Sequence, residues 1–269
     1  MQLEQVQLAI RPRTILECFD VTFLFCSRHW LGLSLAAAVG IIPLASLNWW
    51  LAGISEMNGY AAYLLLAIEL PWATMFITLY LGQTIFSQRL SLRRMLRDGM
   101  VAVPSLLAYQ LFVRGMCLLL VVLVPVVFLG MYYVNEIILL EKTPLARAWN
   151  RRSSMNARIM GRIVAMRLLE LAVMLVGTYA LAALFRAISA LWEDRIDDLR
   201  WRFLFAESAE DFMIVTDWQL HAAFWVVIVF LTVFRFVTYL DCRIRREGWD
   251  VELKLRAQAE LYRQREAVE

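Results

Sequence analysis

Four ionisable side chains stand inside otherwise apolar stretches: Glu69, Arg114, Arg167 and Glu170. A charge at the centre of a bilayer costs about 2.5–3.5 kcal/mol on insertion scales, so such residues persist where they pair or line a polar cavity. Arg167 and Glu170 are three positions apart in an expected helix and therefore share a face. Two readings follow. In one, Glu69, Arg114 and Glu170 line a cavity for a substrate or a proton. In the other they pair with one another and fix helix packing. The second is preferred, because such charges are few and no run of broken, Gly-rich helices accompanies them.

Other chemistry is sparse. The phosphate-binding, zinc-protease, nucleophile-elbow and dinucleotide motifs are all missing. No catalytic residue, metal ligand or cofactor site is therefore expected, and the chain reads as a non-enzyme. His29 and His221 are the only histidines and are expected at opposite membrane faces, where they cannot share a metal. Asp194, Asp197 and Asp198 would form a divalent-cation patch on an expected outer helix over 190–204. Arg195, Arg200 and Arg202 partly neutralise it, so a solvated charged face is preferred. Cys18, Cys26, Cys117 and Cys242 have no C-x-x-C spacing and read as reduced, unpaired thiols.

Composition sets the frame that must hold these residues. Hydrophobic residues make up 61% and charged residues 19% of 269, and the mean hydropathy is +0.60. That balance is apolar for a soluble domain and fits one membrane domain with short polar ends. Basic residues fall in four blocks, Arg11–Arg28, Arg89–Arg97, Lys142–Arg162 and Arg243–Arg265, separated by apolar runs. With a net charge of only +3, they are no nucleic-acid surface. They mark the cytoplasmic connections of a polytopic protein.

The spans are read at about 30–53, 60–86, 103–123, 126–140, 163–184 and 218–240. Residues 103–141 decide the count. One span there would put neighbouring basic blocks on opposite faces, whereas a hairpin turning near Pro125 keeps all four together. The fourth span is the weakest, being short and containing Asn135 and Glu136. In the last, Arg235 is read as snorkelling to the interface. The expected fold is thus an all-α polytopic membrane bundle of six transmembrane helices, arranged as three hairpins with cytoplasmic amphipathic helices. Residues 1–29 form a cytoplasmic segment, 30–240 the membrane domain and 241–269 a cytoplasmic helical tail, with both termini cytoplasmic.

Each hairpin follows a helix-start signal: Thr14 with Glu17, Ser91, and Thr143 before Pro144. The first and third share a glycine 18 residues after the threonine, Gly32 and Gly161, a weak sign of internal repetition. In the tail, Trp249, Leu253, Ala257 and Leu261 recur every four residues after a break at Gly248.

Three stretches carry a family resemblance: Arg11–Asp20, Glu141–Trp149 and Tyr239–Leu253. They resemble uncharacterised bacterial multi-pass inner-membrane proteins, similar in pattern to the membrane region of glycerophosphodiester phosphodiesterase-type proteins. The resemblance implies a bacterial inner-membrane location beside envelope proteins and supplies no catalytic residues. The function expected is a non-catalytic accessory or scaffolding subunit of an envelope assembly, with the bilayer and a membrane or envelope protein as partners. The alternative is a transporter or lipid-handling protein using the intramembrane polar residues, its small-molecule substrate unspecified.

Overall fold

The computed structural model describes residues 12–54, 59–86, 90–120, 129–156, 159–192 and 217–247. Every regular element among them is helical. Four stretches are long and apolar enough to cross a membrane: Trp30–Leu51, Leu64–Phe86, Met160–Trp192 and Trp218–Arg246.

α1 (Ile15–Arg28) opens on the expected capping box. Thr14 Oγ1 accepts the Glu17 N–H at 3.2 Å, and Glu17 Oε2 accepts the Thr14 N–H at 2.7 Å. Its Phe19 and Phe23 rings lie 5.2 and 4.8 Å from that of Phe230, so α1 straps onto the last helix. After a break at His29, α2 (Trp30–Ile54) runs against the next helix pair, α3 (Gly59–Ala73) and α4 (Met75–Phe86). Glycine sets that approach: a methyl group at Gly40 would lie 2.1 Å from the Ala73 carbonyl oxygen. Gly32 abuts the Tyr80 ring, whereas Gly161 meets nothing within 4 Å, so the two glycines that suggested a repeat have no common role. Pro71 removes a backbone donor from α3, and the α3–α4 junction falls at Thr74, whose hydroxyl donates to the Leu70 carbonyl at 2.8 Å.

Ser91 Oγ accepts the Arg94 N–H at 3.4 Å and starts α5 (Leu92–Leu107). The expected cytoplasmic helix and the expected span at 103–123 form one rod here. α5 passes into a π-helical segment (Ala108–Gly115) and then α6 (Met116–Leu119), together roughly 42 Å long.

The fourth expected span, 126–140, departs most from expectation. Its described part leaves a π-helical turn at 129–130, turns over 131–133 with Tyr133 at φ 68°, and is α-helical only in the eight residues of α7 (Val134–Glu141). Residues Met131–Val134 and Ile137–Leu139 are buried in protein, which is what permits irregular backbone at membrane depth. α8 (Leu145–Asn156) also starts later than expected. Pro144, which has no N–H, sits at the cap and its carbonyl accepts the Ala148 N–H at 3.0 Å. Thr143 therefore lies one residue too early to cap.

The chain ends with two long antiparallel helices, α9 (Met160–Trp192) and α10 (Trp218–Glu247). α10 is the central helix and runs unbroken past residue 240. α9 carries much of the bundle's exposed apolar surface, with Trp192 89% exposed. The Pro125 turn, the outer helix over 190–204 with its aspartates, and the tail beyond Gly248 lie outside the described residues, apart from the last turn of α9.

Described residues from all four basic blocks meet at one end of the bundle. Asp241, only 1% exposed, accepts the Arg13 N–H at 2.6 Å and pairs with Arg162 at 2.7 Å and Arg245 at 2.9 Å. Asp98 likewise joins Lys142 at 2.7 Å with Arg94 and Arg97, both at 3.9 Å. At the opposite end, Arg186 of α9 pairs with Asp217, which caps α10 through the Gln219 N–H at 2.9 Å. Asp241→Ala strands Arg162 and Arg245 and is expected to lower stability by about 3 kcal/mol. Thermal unfolding in detergent would show this as a clear fall in midpoint; an unchanged midpoint would refute the clasp.

Candidate functional site

Inside the bundle, beside the start of α7, lies a cavity of about 350 Å³. α3, the π segment, the turn before α7, α9 and α10 each contribute a wall. Among the described residues its charged lining is Arg114, Arg167 and Arg235 against Glu136 and Glu170, an excess of one positive charge.

Glu170 is the hub. Its Oε1 accepts the Tyr132 hydroxyl at 2.8 Å, and its Oε2 pairs with Arg167 at 2.7 Å and with Arg235 at 3.2 Å. The Arg167 guanidinium stacks 4.2 Å over the Tyr132 ring, and that ring lies 4.2 Å from Tyr133. One carboxylate therefore binds α9, α10 and the turn before α7. Six residues separate Arg235 from Asp241, so the hub lies roughly 9 Å inward from the basic clasp.

Arg114 is less well matched. Its Nη1 reaches Gln110 Oε1 at 3.5 Å, and Gln110 Nε2 reaches Asn135 Oδ1 at 3.4 Å, both at the limit of hydrogen bonding. Its Nε is buried without a hydrogen-bond partner among the described residues. The π segment aims this side chain, and such segments often mark functional sites. Gly115 is needed there, since a methyl group would lie 2.8 Å from the Gln110 carbonyl oxygen. Opposite, α7 starts without a side-chain cap. Glu136, in its first turn and 4% exposed, lies within electrostatic range of Arg235 and Arg167.

Of the residues singled out in the sequence, Arg114, Arg167 and Glu170 share this cavity. Glu69 does not join them: it accepts a 2.7 Å hydrogen bond from Asn48 Nδ2 on α2, although its neighbours Leu70 and Pro71 line the wall. Arg235 does not snorkel, because Glu170 holds it inward. Glu136, Tyr132 and the Gln110–Asn135 bridge were missed as site residues. Their signal was the Asn135–Glu136 pair, read only as a weakness of a span. His221 is 8% exposed and its Nε2 accepts the Trp225 indole N–H at 2.8 Å; His29 stacks on Phe25 at 4.5 Å. Among the described residues no group of three or more His, Cys, Asp or Glu side chains could hold a metal ion.

The arrangement can hold one anionic group between Arg114 and the start of α7. Gly115→Ala is expected to break the π segment and turn Arg114 away, lowering stability by about 1–3 kcal/mol. A thermal melt beside that of Gly161→Ala, where the space is open, checks this; equal melts for the two variants would exclude it. Glu170→Ala, which strands two arginines, is expected to be worse by about 3–5 kcal/mol, read by the same melt or as loss of folded protein from the membrane fraction.

Comparison with family models, curated proteins and solved structures finds no match for this chain.

Proposed function

We propose that this chain is a bacterial inner-membrane protein that takes a small anionic ligand into its intramembrane cavity, as a transporter or lipid-handling protein does. The observation that carries this reading is Arg114, half-buried with its Nε enclosed and without a hydrogen-bond partner among the described residues, in a cavity whose described lining holds one more positive than negative charge. A protein using charge only to pack helices has no need of the extra arginine, since an unpaired buried charge is destabilising. The broken helix α7 supports the same reading, because interrupted helices with uncapped starts accompany ligand sites in transporters.

The reading includes six crossings in three hairpins with both termini cytoplasmic. Three contacts support it, since each closes an excursion that leaves the basic end and returns: Gly32 with Tyr80, Asp98 with Lys142, and Arg162 with Asp241. The charge bias then places that end in the cytoplasm. The resemblance to bacterial inner-membrane proteins agrees with the location and adds no activity.

The test is thermal stabilisation of the purified chain in detergent by acetate, benzoate, phosphate and glycerol 3-phosphate, with wild type and Arg114→Gln side by side. A ligand at 100 times its Kd stabilises by about 2.7 kcal/mol. At least one anion is expected to raise the wild-type midpoint by several degrees and to leave Arg114→Gln unmoved. Identical responses in both proteins would overturn the reading. So would an indifferent cavity together with a membrane protein co-purifying at fixed stoichiometry, which is the scaffold outcome.

A further inference from the structure

A second concave site lies at the other end of α7, on the basic face, and is separate from the cavity. We infer that this pocket, between α4, α5, the end of α7 and α10, binds a phosphate group. Its volume is about 270 Å³, and its charged lining is Arg94, Lys142 and Arg243 against Asp98.

Three features point to a phosphate. First, among the described residues the lining cations come from three different elements and exceed the lining carboxylate by two charges. Asp98 is already shared among Lys142, Arg94 and Arg97, and Arg243 lies 4.0 Å from Glu141. A dianion fits such an excess, and arginine forks suit phosphate oxygens.

Second, the pocket has a buried donor with nothing to donate to. Gln83 is 8% exposed; its Oε1 accepts the Ser91 N–H at 3.0 Å, while its Nε2 is buried without a partner among the described residues. A buried amide left half-satisfied carries a desolvation cost that a bound oxygen removes.

Third, Lys142 holds φ 52°, a left-handed conformation that a non-glycine residue rarely adopts, directly after α7. Strain of this kind persists where the surroundings require it and clusters at ligand sites. Leu79, Gly82, Phe86 and Leu140 give the pocket an apolar flank. That flank would cover the glycerol end of a phospholipid, and basic pockets between membrane helices take such headgroups. The shared chemistry is a phosphate monoester or diester, whether borne by a lipid or free in solution.

Gln83→Glu separates a ligand site from a structural role. The new carboxylate still accepts the Ser91 N–H and faces the same cations, so the unliganded protein should melt no lower than wild type. The donor is gone and a negative charge takes its place, so phosphate affinity should fall at least tenfold. Arg94→Gln, at an exposed position, should weaken affinity about tenfold through loss of one charge-assisted hydrogen bond.

The full chain would be reconstituted in phosphatidylcholine nanodiscs and melted in two arms. One arm adds inorganic phosphate at constant ionic strength. The other replaces one lipid in five with phosphatidic acid. Stabilisation in the lipid arm alone assigns a headgroup, in the phosphate arm alone a soluble ligand, and in both a site that accepts either. In each case the gain must be lost in Gln83→Glu and kept in Arg114→Gln, which keeps this result distinct from the fate of the inner cavity. No stabilisation in either arm, or a gain that survives Gln83→Glu, overturns the inference.

Discussion

The rest of the fold is built around the Glu170 carboxylate. Two guanidinium groups and a phenol converge on it from α9, α10 and the turn before α7. None of these partners could be buried alone: an isolated charge taken out of water loses several kcal/mol of hydration. Their attraction is strong because the surroundings are apolar, and it is satisfied only when three separate elements reach one point. The central helix, its antiparallel neighbour and the break in the chain are therefore fixed by one interaction and would be lost together.

α7 then does two things with eight residues. It is bracketed by Tyr133 and Lys142, the only non-glycine residues with positive φ among those described. Two left-handed residues let the chain enter and leave the helix sharply. A half-length helix can thus hang from the basic face into the interior, with protein on all sides. Its start faces the inner cavity and its end faces the basic pocket, roughly 12 Å apart.

The sequence was legible where the physics is local or cumulative. Capping at Thr14 and Ser91 depends on residues three apart, and apolar length alone marks α2, α9 and α10. Charge blocks separated by long apolar runs were enough to bring Arg13, Arg94, Lys142, Arg162 and Arg245 to one end. What stayed hidden depends on partners distant in the chain. Arg235 looks like a snorkelling residue until Glu170, 65 positions away, is placed beside it. Glu69 and Arg114 looked like partners because both are charged, yet Asn48, a neutral residue in the first span, takes Glu69. The π segment has almost no periodic signature, since one extra residue per turn over eight residues barely shifts the apolar pattern. Asn135 and Glu136 carried the clearest unused signal: two polar residues in a short span argue against a lipid-facing helix, and here they mark a protein-enclosed one.

The arginine bias has a physical consequence inside the bundle, whatever its origin in composition. Of 27 basic residues only Lys142 and Lys254 are lysine, and the buried cavity has arginine at all three basic positions. A lysine in such a place can shed its proton and become neutral, removing the electrostatic penalty without any ligand. A guanidinium cannot, because it stays protonated throughout the accessible pH range. Arg167 and Arg235 are compensated by Glu170, and Glu136 adds one more carboxylate within reach of both. Arg114 has Glu136 within electrostatic range and otherwise makes a long contact to a neutral amide. The cavity cannot neutralise itself by releasing a proton from its basic groups. A wall of permanently charged groups is costly packing unless carboxylates are held among them, which is why Glu170 and Glu136 both lie within reach of these arginines.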